Sequence, residues 1–355
     1  MRAWVAALDL AAQASAVRGA LAAGLPPDLA LFINIEPSTL HPRAPEGLTG
    51  FSGHGAERLR IVFEITERAV AARPAELLWT AHWIRQQGCA IGLDDVGAEA
   101  ASLALMPFLR PEIIKLDLRL IRREPTPEAV RTISGVLAEA EATGARIVAE
   151  GIETPEHLER ALAVGATLGQ GWLFGRPGPL PDVFQPPEHP LDPRPALQQI
   201  PRATPAELAF RARRPRRAAK RHLLAISRHL EGWATEGRDP AVVLATFQEA
   251  SRFTPSTQRR YAALARGNAL VAAMGTGMSD APAVGVRGQS FDADDSLRGE
   301  WNVIVVAPHM AGALIARDVG DDGPDDERRF DLVVTYDREL VLTAARVLMA
   351  RIAPS

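Results

Sequence analysis

A repeated order of short apolar runs and helical stretches constrains the fold of this chain more than any other sequence feature. Between residues 30 and 175, six β-branched apolar runs each end in polar residues, and helical stretches lie between them. Continuous apolar character is typical of strands buried on both faces of a parallel sheet. The pattern predicts an α/β domain with helices that include 67–87 and 126–143 and with strands at 31–35, 60–66, 90–96, 113–118, 146–152 and 168–174.

Polar side chains lie at or just after the carboxyl ends of these strands. In a (β/α) barrel all such ends meet at one face, whereas a doubly wound sheet gathers its ligand groups near one switch point. Because six successive strands contribute polar groups, we expect a TIM-type (β/α) barrel. The residues concerned are Asn34, Glu64, Asp94, Asp95, Lys115, Asp117, Glu150, Glu153 and Gln170.

Five of these residues are carboxylates outside the Lys115–Asp117 segment, and together they indicate a metal site. Carboxylates gathered at one barrel mouth repel one another unless a cation compensates them, and oxygen ligands favour Mg²⁺ or Mn²⁺ over zinc. The adjacent Asp94 and Asp95 would let one strand end serve two ions, as in two-metal phosphodiester hydrolysis. An N-cap or a surface salt bridge explains any one of these acids, but not the whole set.

Lys115 belongs with this set because lysine is rare in the chain. Only Lys115 and Lys220 occur among 40 basic residues. A compact ammonium can orient a nucleophilic water or stabilise a phosphate oxygen, and it can release its proton, which arginine cannot. The alternative is that Lys115 serves as a buried counter-ion for Asp117.

The pattern changes after the barrel region. Residues 181–217 are rich in Pro and Arg and predict a linker. The basic cluster from Arg211 to His222 indicates either an anionic partner or a solvated helix face. Residues 218–355 predict a separate α+β domain, with helices at 218–233 and 238–250, four strand-like runs after them, and a closing helix at 338–352.

Composition excludes several classes of protein. A net charge of −3 gives no electrostatic case for a nucleic acid polymer or an anionic membrane as partner. Cys89 is the only cysteine, which excludes internal disulfides and is typical of a reducing cytosol. No stretch approaches the roughly 20 apolar residues of a membrane helix, and Asp9 interrupts any signal peptide. We therefore expect a cytoplasmic protein without a membrane partner.

Six motifs in order resemble those of one enzyme family. Together they resemble the EAL-domain cyclic di-GMP phosphodiesterases across residues 4–180, which makes residues 1–180 the barrel domain. The resemblance implies hydrolysis of cyclic di-GMP to linear pGpG with Mg²⁺ or Mn²⁺, and a homodimer through the barrel. The motifs are Asn34 in an Asn-x-x-Pro context, FEITE at 63–67, LDDVG at 93–97, KLD at 115–117, AEGIE at 149–153 and QGWLFGRP at 170–177.

The resemblance also implies a role for each site residue. It implies that the metal ligands are Asn34, Glu64, Asp94 and Asp95. Glu150 and Glu153 would act on the metal or on water, and Lys115 on the nucleophilic water. Gln170 would support the site, and Glu67 would brace the loop after Asp94 and Asp95.

The sequence departs from the family pattern in two places. The Glu-Ala-Leu strand, whose Glu is a metal ligand in the family, has no counterpart, because the chain begins in the helix that follows it. We therefore expect a barrel that is N-terminally incomplete, lacking about two of the eight strands. The loop 97–102 also lacks the Gly-, Tyr- and Ser-rich character of the family. The sequence predicts a regulated phosphodiesterase; the alternatives are a catalytically inactive nucleotide-binding or protein-interaction module and a barrel acting on another phosphodiester.

The C-terminal domain resembles the DICT sensory domain over residues 218–352. The motifs are LLAISRHLE at 223–231, Phe247-Gln248 with Tyr261, LRGEW at 297–301 and FDLVVTYDRELV at 330–341. The resemblance implies that this domain senses an unknown ligand or protein partner. Glu300, Trp301 and Asp337 are candidates for its pocket or interface, and a place in the core is the alternative for Trp301.

Overall fold

The computed structural model describes ten stretches of the chain, which form two compact units. The units are Met1–Glu99 with Leu109–Gln198, and Ala100–Phe108 with Gln199–Ser355. None of the helices in the described stretches combines the length and apolar character needed to cross a bilayer. The described residues are 2–35, 58–66, 74–97, 101–122, 126–185, 187–191, 200–237, 239–292, 294–321 and 324–352.

The first unit is built on a six-stranded sheet in which every neighbouring pair is parallel. The strands lie side by side in chain order, without a switch point. This order is that of a (β/α) barrel, and it confirms the predicted incomplete barrel, with six strands described here against the eight of a full TIM barrel. The strands are β1 (Ala30–Asn34), β2 (Arg60–Thr66), β3 (Ala90–Val96), β4 (Ile113–Leu116), β5 (Arg146–Ala149) and β6 (Leu168–Gly169).

Helices alternate with these strands along the chain. Thr126 and Thr154 are the N-caps of two of these helices, since the Thr126 side chain accepts a hydrogen bond from Ala129 N–H and the Thr154 side chain accepts one from His157 N–H. A proline follows each cap, at the position where the missing N–H costs nothing. The helices in this part of the chain are α1 (Arg2–Ala22), α2 (Pro74–Gln86), α3 (Ala101–Leu109), α4 (Leu118–Arg122), α5 (Pro127–Thr143) and α6 (Pro155–Ala163); all of α3 except Leu109 belongs to the second unit.

The apolar runs bury their side chains as the sequence predicts. Val62, Ala90, Ile113 and Val148, one from each of four successive strands, form a single core layer. The strands β4 to β6 end earlier than predicted, because the polar and glycine-rich residues after them leave the ladder. The close approach of Gly171 to the backbone of Ile152 marks one of these departures.

The second unit contains a mixed seven-stranded sheet, which agrees with the predicted α+β class. The strands are β7 (Arg216–Ala219), β8 (Val242–Glu249), β9 (Leu270–Thr276), β10 (Arg287–Gln289), β11 (Glu300–Ala307), β12 (Met310–Asp318) and β13 (Arg329–Thr335). Their order in the sheet is β10-β9-β8-β11-β12-β13-β7. Strands β10, β9 and β8 are parallel, and the remaining neighbours are antiparallel. The helices are α7 (Pro205–Ala212), α8 (Lys220–Glu236), α9 (Pro255–Ala265) and α10 (Arg338–Met349), with 3₁₀ turns at Ala250–Arg252 and Ser296–Gly299.

The helix predicted at 238–250 is wrong. Residues 242–249 form strand β8, which lies between β9 and β11 in the sheet. The first five residues of β8 are all buried, so the run lacks the alternation of apolar and polar residues by which a half-buried strand is recognised in sequence. Its β-branched and aromatic residues favour a strand in this setting.

The Pro- and Arg-rich segment contains regular structure after residue 204. Thr204 and Glu207 form a capping box at the start of α7. The basic cluster spans the end of α7, the strand β7 and the start of α8, rather than one helix face. Arg217 pairs with Asp331 of the neighbouring strand, and so part of this positive charge is compensated within the unit.

Candidate functional site

The ammonium group of Lys115 lies among three carboxylates of the first unit. Its Nζ is 2.6 Å from Glu64 Oε1, 2.8 Å from Asp94 Oδ1 and 2.7 Å from Glu150 Oε1. Both Lys115 (4% exposed) and Glu64 (6% exposed) are buried. Four strands, β2 to β5, therefore deliver one charged group each to the same place.

The parallel register of the sheet brings these groups together. Lys115 is the third residue of β4, and Ile114 and Leu116 on either side of it are buried among apolar residues. Because side chains alternate along a strand, Lys115 faces away from these two neighbours. Glu150 directly follows β5, whose Val148 lies beside Lys115 in the register.

An irregularity in β3 explains how two successive aspartates can serve one site. In a regular strand, Asp94 and Asp95 would point to opposite faces. The pairing of β3 with β4 shifts between Leu93 and Val96, and Asp95 adopts a left-handed backbone conformation with φ of 58°. Such strain in a non-glycine residue persists only where the surroundings enforce it, and it is concentrated at functional sites.

The geometry leaves this cluster with an excess of negative charge. Four carboxylates (Glu64, Asp94, Asp95 and Glu150) face one ammonium, so the fully ionised set would carry a net charge of −3. Burial, reinforced by the charges of Asp94 and Asp95, raises the pKa of Glu64 and of Glu150 above the usual value. Burial and the charge of Asp94 also raise the pKa of Asp95.

Lys115 remains a cation in these surroundings. Burial alone would lower its pKa, but hydrogen bonds to Asp94, Glu150 and Glu64 outweigh burial and raise the pKa above its usual value. The ready release of a proton that made lysine attractive in the sequence is therefore not supported. Lys115 acts here as a fixed positive charge.

Three acidic residues of the cluster lie close enough together to hold a divalent metal ion. One carboxylate oxygen from each of Asp94, Asp95 and Glu150 lies within 4.8 Å of the other two. All three are hard oxygen donors, which suit Mg²⁺ or Mn²⁺. The excess negative charge and this donor set together fit a divalent cation.

The structure also locates the other predicted site residues. Asn34 ends β1 beside Glu64 in the register, and its side chain is exposed. Gln170 is exposed after β6, and its backbone carbonyl accepts from the N–H of Ile152. Glu153 forms an ion pair with Arg122 rather than with Lys115. Glu67 lies outside the described residues.

Asp117 pairs with Arg119 rather than with Lys115. Its carboxylate accepts hydrogen bonds from the backbone N–H and the guanidinium of Arg119, and these lower its pKa despite burial. Lys115 is therefore not the counter-ion of Asp117. Sequence reasoning missed Arg119 and Arg122 because arginine is too common in this chain to draw attention.

The three residues singled out in the second unit have different environments. Glu300 is fully buried and accepts hydrogen bonds from Ala206 N and Asn302 Nδ2, each at 3.1 Å. Asp337 caps α10 and pairs with Arg213. Trp301 packs partly against the core of this unit and also lines a cavity, so that both interpretations of Trp301 apply.

Two family models match the chain in sequence. Residues 4–177 match the EAL domain, and residues 196–318 match the "Sensory domain in DIguanylate Cyclases and Two-component system", called DICT. The first match includes every site residue predicted for the barrel. The second begins before α7 and ends with β12.

Curated relatives match the first part of the chain. The cyclic di-GMP phosphodiesterase RocR of Pseudomonas aeruginosa is 35% identical over 175 residues, which are 48% of this chain and 44% of that protein. The cyclic di-GMP phosphodiesterase PdeF of Escherichia coli is 28% identical over 129 residues, covering 36% of this chain and 17% of that protein. The chain thus spans less than half the length of these relatives.

Solved structures resemble the same part. A manganese and cy-diGMP complex of Klebsiella pneumoniae BlrP1 has 30% identity and a TM-score of 0.43, and the match covers 48% of this chain and 45% of that one. The EAL domain of Mycobacterium smegmatis DcpA has 27% identity and a TM-score of 0.40, covering 47% and 76% of the two chains.

Proposed function

Because this chain carries an EAL domain followed by a DICT domain, we propose that its first unit is a divalent-metal-dependent phosphodiesterase that hydrolyses cyclic di-GMP to pGpG. The observation that carries the proposal is the convergence of Glu64, Asp94 and Glu150 on Lys115. A set of acids with excess negative charge, of which Glu64 is buried and the others are open to solvent to different extents, suits a site that takes up cations together with a phosphodiester. The DICT domain would regulate this activity.

Asp94 and Asp95 would hold Mg²⁺ or Mn²⁺, with Glu64 and Asn34 at the same sheet edge. Glu150, the third acid of the oxygen cluster, would lie beside this metal, next to the attacking water. A metal ion held by these residues would supply positive charge to the phosphoryl oxygens. Lys115 orients the attacking water or donates a hydrogen bond to a phosphate oxygen, and its raised pKa keeps it charged while it does so.

Glu150 is the residue best suited to accept the proton of the attacking water. Its carboxylate lies 2.7 Å from Lys115 Nζ, and burial raises its pKa. The Glu150 side chain is 17% exposed against 7% for Glu64, so it is the more accessible of the two to a water molecule. Water then attacks phosphorus, one P–O bond of the cyclic dinucleotide breaks, and the leaving oxygen takes up a proton. Glu153 acts as a positioning residue in this scheme, because its ion pair with Arg122 holds the segment that follows Glu150.

The test is to incubate the purified chain with cyclic di-GMP and Mn²⁺ and to follow pGpG. We expect product from the wild type, and a loss of about 100-fold or more in rate for Glu64→Gln, which removes one charge at nearly constant shape. Glu141→Gln, an exposed acid of α5, is the matched control and should keep the wild-type rate. Equal rates for all three proteins would contradict the assignment.

A second candidate is a catalytically inactive module that binds cyclic di-GMP or a protein. The favouring observation is that three of the four clustered carboxylates already have Lys115 as counter-ion. Saturable binding of cyclic di-GMP without any pGpG in the presence of Mn²⁺ or Mg²⁺ would select this candidate. The cytoplasmic location, the homodimer and the domain limits at 180 and 218 remain predictions.

A further inference from the structure

A cavity of about 410 Å³ lies within the second unit. Its size falls in the range of roughly 300–1,000 Å³ that is typical of small-molecule sites. The cavity belongs to this unit alone and lies far along the chain from the carboxylate cluster. Residues that line it come from α8, α9, β11 and β13, and include Ser227, Arg228, Thr257, Arg260, Trp301 and Phe330.

Aromatic side chains form an apolar side of the cavity. Trp301 and Phe330 meet edge to face with their ring centroids 5.6 Å apart, and Phe247 lines the same space. Phe330 is buried, which fixes the position of the Trp301 ring beside it. A rigid aromatic surface of this kind suits a flat apolar body.

The hydroxyl of Ser227 is the first sign that the cavity is built for a ligand. Ser227 is 4% exposed, yet its Oγ has no hydrogen-bond partner among the described residues. Buried polar atoms are almost always paired, so that an unpaired one in a cavity wall calls for an explanation. A ligand atom that pairs with this hydroxyl would provide it.

Arg228 provides the charge that complements this hydroxyl. The other basic residues of the lining have acidic partners: Lys220 and Arg252 pair with Asp325, Arg260 with Glu231, and Arg328 with Asp318. Arg228 is exposed and has no such partner within the described part of the chain. Next to Ser227 in sequence, it offers a guanidinium to an anionic group at the cavity rim.

Strand β8 is deformed where it passes the cavity. Its pairing with β9 shifts between Thr246 and Glu249, and Gln248 has a left-handed φ of 60°. Gln248 lines the cavity at this point. A strained non-glycine residue beside a cavity is typical of a binding site.

We propose that this cavity binds a small molecule with a flat apolar body and one anionic group. The body lies against Trp301 and Phe330, and the anion contacts the Ser227 hydroxyl and the Arg228 guanidinium. The lining holds five basic residues (Lys220, Arg228, Arg252, Arg260, Arg328) against three acidic ones (Glu231, Asp325, Asp326), which disfavours a cation. The inference does not depend on any activity of the first unit.

The test uses 8-anilinonaphthalene-1-sulfonate, an aromatic anion of this class, with the whole chain. We expect saturable binding at one site, measured by fluorescence titration, and a rise in the midpoint of thermal unfolding when the probe is in excess. Arg228→Glu places a like charge beside the sulfonate and should weaken binding about tenfold or more. Arg221→Glu, two turns earlier on the same helix and outside the lining, is the matched control and should bind as the wild type does.

A second variant fills the cavity. Ser227→Leu should abolish saturable binding, and circular dichroism with an unfolding curve will show whether it is folded. If Ser227→Leu proves unfolded, Arg228→Glu decides alone, because its side chain is exposed in the wild type. Unchanged affinity in Arg228→Glu, or binding that does not saturate, would overturn the proposal.

Discussion

Each unit of this protein buries acidic groups, but the two units compensate them differently. Glu300 in the second unit is surrounded by donors: the Thr204 hydroxyl, Ala206 N–H, Asn302 amide and Arg317 guanidinium all reach its carboxylate. In the first unit, the single ammonium of Lys115 is shared by three of the four clustered acids. A carboxylate whose hydrogen-bond donors are all supplied by the protein contributes to the stability of the fold. A cluster of carboxylates with too few cations can instead bind a cation from solution.

The largest expected effect is the loss of stability on removing the Glu300 carboxylate, whose hydrogen-bond donors are supplied by the protein. Glu300→Leu would leave the Thr204, Ala206 and Asn302 donors buried without an acceptor, and we expect a loss of about 3–5 kcal/mol in the free energy of unfolding of the second unit. Urea unfolding, monitored by hydrogen exchange of the backbone amides in β11 and β12, measures this loss in free energy. A change as small as that of an exposed site, such as Glu339→Leu on α10, would show that Glu300 is not needed for stability.

The next largest effect is expected on activity, when the ammonium of Lys115 is removed from the carboxylate cluster of the first unit. Lys115→Met keeps the apolar stem but removes the charge shared by three acids, and we expect pGpG formation to fall about 100-fold or more. The fold should be retained at Mg²⁺ concentrations high enough to replace the lost cation. Unfolding curves with and without Mg²⁺ show whether a loss of activity results from a loss of stability. Full activity of Lys115→Met would contradict the role of Lys115 as the central positive charge.

A smaller effect should distinguish the two acids that follow β5. Glu150 contacts Lys115, while Glu153 pairs with Arg122, so Glu150→Gln should slow turnover about tenfold more than Glu153→Gln. Rates of pGpG formation at saturating cyclic di-GMP measure this ratio. An equal loss in both variants would mean that Glu153 also acts on the reacting groups.

The smallest effect is a dependence of stability on pH. The pKa values of Glu64, Asp95 and Glu150 are raised in the folded state, so the folded state binds protons more tightly than the unfolded chain does. Repulsion among the ionised acids destabilises the unit above these folded pKa values and is relieved as the pH falls through them. We therefore expect the first unit to be more stable at pH 5 than at pH 7.

Urea midpoints at the two pH values test this, and Glu150→Gln should show less of the gain. Saturating Mg²⁺ at pH 7 should stabilise the unit in the same sense. A fall in stability toward pH 5, equal in the wild type and in Glu150→Gln, would contradict the raised pKa values.

The strands of the first unit could be predicted from sequence, because apolar runs buried on both faces are bounded by polar residues. The same rule failed at residues 242–249, where a helix was predicted, because a fully buried strand and a buried helix segment have the same continuous apolar sequence pattern. The convergence of acids at one edge was also predictable, since parallel strands share a direction. The ion pairs themselves were not, because whether Lys115 meets Glu64 or Asp117 depends on the pleat of β4 and on the irregularity in β3.

The outer strand β7 gives the Arg-rich segment a consequence beyond charge balance. It lies at one border of the seven-stranded sheet and presents the exposed Arg216 and Arg217 there. An uncovered border can recruit a strand from another molecule, and charged side chains oppose such recruitment. We therefore expect Arg216 to oppose pairing of this border with a strand of a second copy of the chain, and Arg217 to oppose it less, because Asp331 already compensates its charge.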